Sequence, residues 1–255
     1  MKTVSIMQPY FLPYIGYLQL IANSDEFIFF DEVQYNTRSW MNRNRILHPN
    51  KNISYQYISV PIKKHSQGTL IKDVIINYIE KWENKILGQI TMYKKLNAPF
   101  YRETRALLIE LFNKKYTSFL ELCIESIKRI CNYLEIDFKY EIASNITYRK
   151  DLINEPGDWA LAISKRLKAE TYINPYGGYE IFDEEKFNNS NINLRFLKPN
   201  LSAYKQSKRT DFFKGLSIID ILMFNSKKEI KDMLFKDFKL YKKFELNTQQ
   251  RDKNE

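Results

Sequence analysis

The side chains best equipped for chemistry are few, and most fall in the first 65 residues. Asp31 follows the apolar run Phe27-Ile28-Phe29-Phe30. A carboxylate at a strand end can take a proton from an attacking amine or grip sugar hydroxyls. It can equally be a turn carboxylate bonded to backbone amides. His65 sits in Lys63-Lys64-His65-Ser66. Histidine is a frequent general base in catalysis, although a solvated loop histidine is the commoner case. Arg43 and Arg45 alternate with Asn42 and Asn44, between Trp40 and Ile46. Forked guanidinium donors match a diphosphate; surface arginines are the plain alternative. Lys205, Lys208 and Arg209 form a second candidate anion site, with Gln206 among them, just before a helix start that favours negative charge. Gly177-Gly178, after Asn174-Pro175-Tyr176, could bring backbone amides close to a phosphate or a sugar, or simply turn the chain.

Several chemistries find no support. The two histidines, His48 and His65, and the two cysteines, Cys123 and Cys131, are not spaced as metal ligands with nearby acids. There is no Ser-His-Asp arrangement, no Walker loop and no Gly-x-Gly-x-x-Gly. A metal-dependent or triad hydrolase and a standard ATP or NAD site are therefore not expected, and no cofactor is assigned.

The elements that must position these groups can be read from periodicity. Val4 to Met7 is a short buried strand. Pro9 and Pro13 forbid regular structure through the next stretch. Ile15, Leu18 and Ile21 mark a helix face, and Phe27 to Phe30 is a second buried strand. Strand, turn, helix, strand is a parallel βαβ unit, whose ligand crevice lies beyond the carboxyl ends of its strands. Those ends carry Gln8 and Tyr10 on one side, and Asp31, Gln34 and Tyr35 on the other.

Farther along, residues 53–60 predict a strand with Tyr55 and Tyr57 on one face. Ile71, Val74 and Ile76 suggest another. Helices are expected from Trp82 to about Lys95, over 104–113, and from Ser118 to Leu134. Phe138, Tyr140 and Ile142 alternate as a strand. Asp158 is a candidate N-cap for a helix through Leu167. Thr171 to Ile173 is a strand, 182–187 a turn or short helix, and Ile192, Leu194 and Phe196 the last strand. A polar loop spans 204–213. Ser217 and Asp220 resemble a capping box with Asp replacing Glu, opening a helix through Met223, and another helix covers 227–235. The expected fold is a mainly parallel, Rossmann-like α/β sheet. It forms a single domain over 1–245 with a helix-rich insertion or cap at about 80–135, and a polar tail at 246–255.

Formal net charge is +10 over 255 residues. A positive field attracts nucleotides, nucleotide sugars, RNA or an anionic surface. No basic stripe interleaved with aromatics is visible in the sequence, so specific nucleic-acid recognition gains little support. Cys123 and Cys131 read as buried small apolar residues in a reducing compartment. No apolar run is long enough to span a membrane. These features predict a cytoplasmic protein; oligomeric state stays open.

Gln8-Pro9-Tyr10-Phe11-Leu12-Pro13-Tyr14-Ile15-Gly16-Tyr17, Asp31-Glu32-Val33-Gln34-Tyr35 and Asn42-Arg43-Asn44-Arg45 resemble the opening signature of the WbqC-like family. Trp82, Asn97-Ala98-Pro99-Phe100, Thr171-Tyr172-Ile173-Asn174-Pro175 with Gly177-Gly178, Phe187, Tyr204-Lys205-Gln206 and Leu216-Ser217-Ile218-Ile219-Asp220 extend the likeness from about residue 3 to about residue 225. The resemblance implies a place in O-antigen or capsule assembly, attaching aminoacyl groups such as glycyl to amino sugars. Pro13-Tyr14-Ile15-Gly16-Tyr17 is also similar to the His-x-Gly-His turn of nucleotidylyltransferases and class I aminoacyl-tRNA synthetases. There the histidines meet the triphosphate and the glycine admits the nucleotide. Tyr14 and Tyr17 replace both histidines, and tyrosine is not cationic at neutral pH. This implies a shared (HUP-type) fold without adenylyl transfer.

The expected function is a tailoring transferase that N-acylates a nucleotide-linked amino sugar, with aminoacyl-tRNA as the candidate donor. Asp31 or His65 would be the base. Gln8, Tyr10, Tyr14, Gly16, Tyr17, Gln34, Tyr35, Trp40, Asn42, Arg43, Arg45, Asn174, Gly177, Gly178, Lys205 and Gln206 would bind substrate. A non-catalytic nucleotide-sugar-binding or scaffold protein, or an RNA-binding module, is the alternative.

Overall fold

A computed structural model describes residues 1–50, 52–206 and 212–246. The opening unit folds as its pattern requires. Strand β1 (Thr3–Met7), helix α1 (Ile15–Ala22) and strand β2 (Glu26–Phe29) form a parallel βαβ unit in which Met7 pairs with Phe29. Every residue of α1 from Ile15 to Ile21 is buried, so the helix is apolar all round, as a central helix is. Its one buried amide, Gln19, donates to the carbonyls of Met233 and Asp237, at 2.8 and 3.0 Å.

Strands β3 (Arg43–Leu47) and β4 (Tyr55–Ser59) follow and pair antiparallel as a separate ribbon. Helices α2 (Trp82–Gln89), α3 (Thr91–Lys95), α4 (Tyr101–Phe112) and α5 (Phe119–Leu134) come next, then β5 (Tyr140–Ile142), α6 (Asp158–Arg166), β6 (Thr171–Pro175), α7 (Glu184–Asn188), β7 (Asn193–Pro199), α8 (Ile218–Phe224), α9 (Lys227–Lys236) and β8 (Phe238–Tyr241). The main sheet has the order β5-β2-β1-β6-β7-β8. All its pairings are parallel except β7 with β8. Both faces are covered, which is why the central strands β1 and β2 carry no charged alternation through Val4 to Met7 and Phe27 to Phe29. Phe27, Phe29, Ile173 and Leu197 join the core shared with α1, α5, α8 and α9. Val4, Ile6, Ile28, Tyr172, Leu194 and Phe196 join a second core with Ala160, Ile163 and Phe187. The α/β reading of the sequence therefore holds.

Local corrections have physical causes. Ile71 to Ile76 is no strand: a 3-10 turn occupies Ile71–Asp73, and Ile71 and Val74 are buried as loop anchors. The helix expected from Trp82 to Lys95 breaks at Ile90, where α2 ends and α3 begins. Asp158 does not cap α6 from outside. It is the first helical residue, and its carboxylate accepts the amides of Asn154 and Glu155. Ser217 caps α8, but Asp220 turns into the core instead of reaching back; the real capping box is Ser226 with Glu229 on α9. β7 is not the last strand, because β8 adds to the sheet edge. Leu246, placed by the sequence in a polar tail, is buried. Cys123 and Cys131 are buried and unbonded to each other, as expected.

Candidate functional site

The sheet order reverses direction between β1 and β6. One run goes outward through β2 and β5, the other through β7. A crevice opens at such a switch point, above the carboxyl ends of the strands. Here it is a cleft of about 660 Å³. Ile6 and Met7 of β1 with Gln8 just beyond, Phe30 and Val33 after β2, and Asn174 and Pro175 of β6 with Gly177 and Gly178 beyond form its floor; Ile153 to Pro156, Trp159, Ala160, Ile181 and Phe182 form its walls.

Each wall has an identifiable support. Gln8 is exposed, and its carbonyl accepts the Tyr17 hydroxyl at 2.9 Å. The Tyr172 hydroxyl donates to Asn174 Oδ1 at 2.8 Å, and the Asn174 amide donates to the Pro175 carbonyl at 2.9 Å. These bonds fix the Asn174 side chain under the glycine pair. A Cβ on Gly178 would lie 2.9 Å from Asn174 Nδ2, whereas one on Gly177 would meet nothing within 4 Å. A Cβ on Gly157 would lie 2.4 Å from the Ile181 carbonyl oxygen. Only glycine allows the 176–182 loop to close against the start of α6. Trp159 packs on Phe30, with ring centroids 5.3 Å apart.

Charges around the cleft are paired behind its lining. Asp158 binds the amides of Asn154 and Glu155 at 3.0 and 3.1 Å and Lys186 Nζ at 2.8 Å. The hydrogen bond from Lys186 leads in holding its carboxyl below the ordinary range, against burial. Glu32 accepts Tyr148 Oη and Lys150 Nζ. Burial alone would push this carboxyl up, but the bonds from Lys150 and Tyr148 bring it below its usual value. Among the cleft-lining residues, Glu155 carries the single carboxylate.

The structure brings together Gln8, Asn174, Gly177 and Gly178 from the residues singled out in the sequence. It separates the rest. Asp31 is fully buried; its Oδ1 accepts Ser144 N at 3.0 Å and its Oδ2 accepts Ser144 Oγ at 2.7 Å. Both carboxylate oxygens are thus engaged by Ser144, and the group does not line the cleft. His65 lines another cleft, of about 550 Å³, with Gln34, Tyr35, Asn36, Thr37, Ser66 and Gln67, and packs edge-on to Tyr35. Burial pushes the Tyr35 hydroxyl up to about 12.

Gly16 does not admit a ligand either. A Cβ there would lie 2.5 Å from Tyr14 Cε2 and 2.6 Å from Pro199 Cγ, so the ring of Tyr14 and Pro199 use that space. Tyr17 is buried, and burial raises its hydroxyl well above the ordinary value. Burial also raises Tyr10 and Tyr14; Tyr10 lies close enough to Arg45 and Arg43 for both to oppose its shift. Gln206 is buried and donates to Asp220 Oδ2 at 2.8 Å, alongside the hydroxyl of Tyr204 at 2.6 Å; Tyr93 donates to Oδ1 at 2.6 Å. It staples a loop to α8 rather than meeting a substrate. Lys205 is exposed, while Lys208 and Arg209 lie outside the described residues.

Asn42, Arg43, Arg45 and Trp40 gather on the β3–β4 ribbon instead. The Asn42 amide donates to the Val60 carbonyl at 2.9 Å. Arg45 lies 5.1 Å from the Trp40 ring and 4.9 Å from that of Tyr55; Arg43 lies 5.3 Å from Trp40 and 5.6 Å from Tyr57.

Sequence reasoning missed the cleft walls at 153–160 and 181–182. The signal was present in Pro156-Gly157-Asp158-Trp159, a turn closing on an aromatic. It also missed a groove of about 620 Å³ where Lys94, Lys95, Arg102 and Arg105 converge from α3 and α4. Their separation along the chain hides them from any run of charge. No three His, Cys, Asp or Glu side chains cluster to hold a metal among the described residues, and no helix there is long and apolar enough to cross a membrane.

Residues 8–232 match the model of the WbqC-like protein family. The chain is 28% identical over 244 residues to the uncharacterized protein Rv1507c of Mycobacterium tuberculosis, covering 92% of this chain and 98% of that protein. No solved structure matches it significantly. The match takes in α1, the ribbon, β6 and α8 together, and so the chain belongs to the WbqC-like family, a membership that points to polysaccharide-associated biosynthesis.

Proposed function

We propose that this protein is a tailoring transferase of surface-polysaccharide assembly that holds a nucleotide-linked amino sugar in the β1–β6 cleft and acylates its amine. The cleft itself carries this reading. Ile6, Trp159 and Phe182 offer apolar walls for a flat ring, and Gln8, Asn154 and Asn174 offer a few convergent polar groups, the usual make-up of a small-molecule site. Its position at the switch point is where nucleotides bind in related topologies. With Asp31 sealed and His65 elsewhere, Glu155 is the base that this reading requires. The deprotonated sugar amine attacks the carbonyl carbon of an aminoacyl ester. A C–N bond forms and the C–O bond to the terminal ribose of the tRNA donor breaks. Glu155 carries the amine proton to the departing ribose oxygen, leaving an amide and free tRNA.

Calorimetry with nucleotide-linked amino sugars tests binding, and product mass with added aminoacyl-tRNA tests transfer. Tight binding with a mass gain of one aminoacyl residue is expected, and Glu155→Gln should lower turnover about 10²–10⁴-fold while keeping affinity. Absence of binding to every such sugar would sink the reading. A second reading has its own observation. The carboxylate candidate Asp31 and the histidine candidate His65 both lie outside the cleft, as expected of a non-catalytic carrier of the same sugars. Tight binding without transfer from any donor would favour it.

A further inference from the structure

The β3–β4 ribbon carries a surface that the cleft does not use. Its register sets Arg45 opposite Tyr57 and Leu47 opposite Tyr55, so Arg43, Arg45, Tyr55 and Tyr57 share one face. The other face, with Asn44, Ile46 and Ile58, is buried in the core. Trp40 and Tyr57 remain 41% and 46% exposed, unusual for large rings on a packed ribbon. The two guanidinium groups lie against these rings. Among the described residues neither has a carboxylate within ion-pair distance. Their hydrogen bonds go to single carbonyls, Arg38 at 3.2 Å and Gly215 at 3.4 Å, and both Nε atoms are buried without a partner. Arginines held rigid by stacking, uncompensated in charge and flanked by exposed rings, present forked donors for phosphates and flat faces for bases.

We infer that this face is a platform for single-stranded RNA, whose bases stack on Trp40 and Tyr57 while Arg43 and Arg45 meet the phosphodiesters. Charge complementarity names the occupant: the chain carries a net +10, and single strands, unlike duplexes, expose both phosphate and base faces. Identifying that strand with the 3′ end of an aminoacyl-tRNA rests on the acyl-transfer reading above; the platform itself does not.

The test uses the full chain and a labelled, unacylated oligoadenylate, followed by fluorescence anisotropy across a salt series, with no sugar present. Binding should fall with salt by about 0.7 log units per log unit of salt for each phosphate neutralised. Arg43→Gln and Arg45→Gln should each remove about one such increment. Trp40→Ala should weaken binding roughly 5- to 150-fold, with Trp40→Phe restoring most of it; unchanged melting would show that the fold survives. No binding at low salt, equal binding of an RNA duplex, or loss of binding in Lys94→Gln/Arg105→Gln but not in the ribbon variants would each overturn the inference. Failure here would leave nucleotide-sugar titrations of the cleft untouched, so the two readings fail separately.

Discussion

The cleft and the ribbon treat charge in opposite ways. Around the cleft, carboxylates close to the lining are tied down: Asp31 by Ser144, Glu32 by Tyr148 and Lys150, Asp158 by two amides and Lys186, while Glu155, which faces the cavity, keeps a longer contact of 3.5 Å with the same Lys186. What remains facing the cavity is mostly ring and aliphatic surface. On the ribbon, the guanidinium groups have no acid partner among the described residues and are laid on aromatic faces. Burying a charge without a partner is costly, so the cleft's pairing reads as architecture. The ribbon's lack of pairing, with its rings half exposed, reads as readiness for an external anion. Ionisable side chains alone would have assigned the two regions the other way round.

Three substitutions sharpen that contrast. The largest effect should come from Asp31→Ala. It leaves the Ser144 amide and hydroxyl without acceptors beneath the β2 end of the cleft, a loss of about 2–4 kcal/mol visible in denaturant titration. RNA affinity should not move in the surviving folded fraction. A drop in turnover with stability intact would instead restore Asp31 as a base. Next comes Gly177→Val. Its new side chain enters open space beside the cleft, so melting should be unchanged. Nucleotide-sugar affinity should fall about tenfold or more, a loss of about 1.4 kcal/mol, again with RNA binding unaltered. If sugar affinity held, the ligand would lie elsewhere.

The fold was legible where a single physical demand dominates. Val4 to Met7 and Phe27 to Phe30 are apolar on both faces because both faces are covered, and that signature is local. β3 was hidden because its inward position is Asn44, a polar residue buried by its bond to the Leu12 carbonyl at 2.8 Å. A polar residue facing inward breaks the alternation on which a strand reading depends. The cleft was half legible. Gln8, Asn174 and the glycine pair stand at strand ends and announce themselves. Trp159 and Glu155 enter only through the approach of Ile181 to Gly157, a contact between segments that no spacing rule encodes. Asp31 and Gln206 misled for the converse reason. Both look like ligand-binding groups, and both are engaged by partners in other segments, Ser144 and Asp220.

The smallest effect should separate the regions by pH. Asp158 holds the 154–155 wall of the cleft, and its folded-state carboxyl is more acidic than in the unfolded chain, chiefly through Lys186. Its contribution is therefore complete above the ordinary aspartate value of about 3.9 and fades as pH falls through the lower folded value. Asp158→Asn should cost on the order of 1 kcal/mol at neutral pH and lower nucleotide-sugar affinity. The gap in melting temperature from the parent protein should narrow as pH falls below about 3.9. The ribbon has no carboxylate partner to protonate among the described residues, so its affinity for a single-stranded oligouridylate should not rise as pH falls from about 5 to about 3.5. A rise over that interval that the Arg43→Gln and Arg45→Gln variants lack would mean that an acid does face Arg43 or Arg45, and the distinction between paired and unpaired charge would no longer divide the two sites.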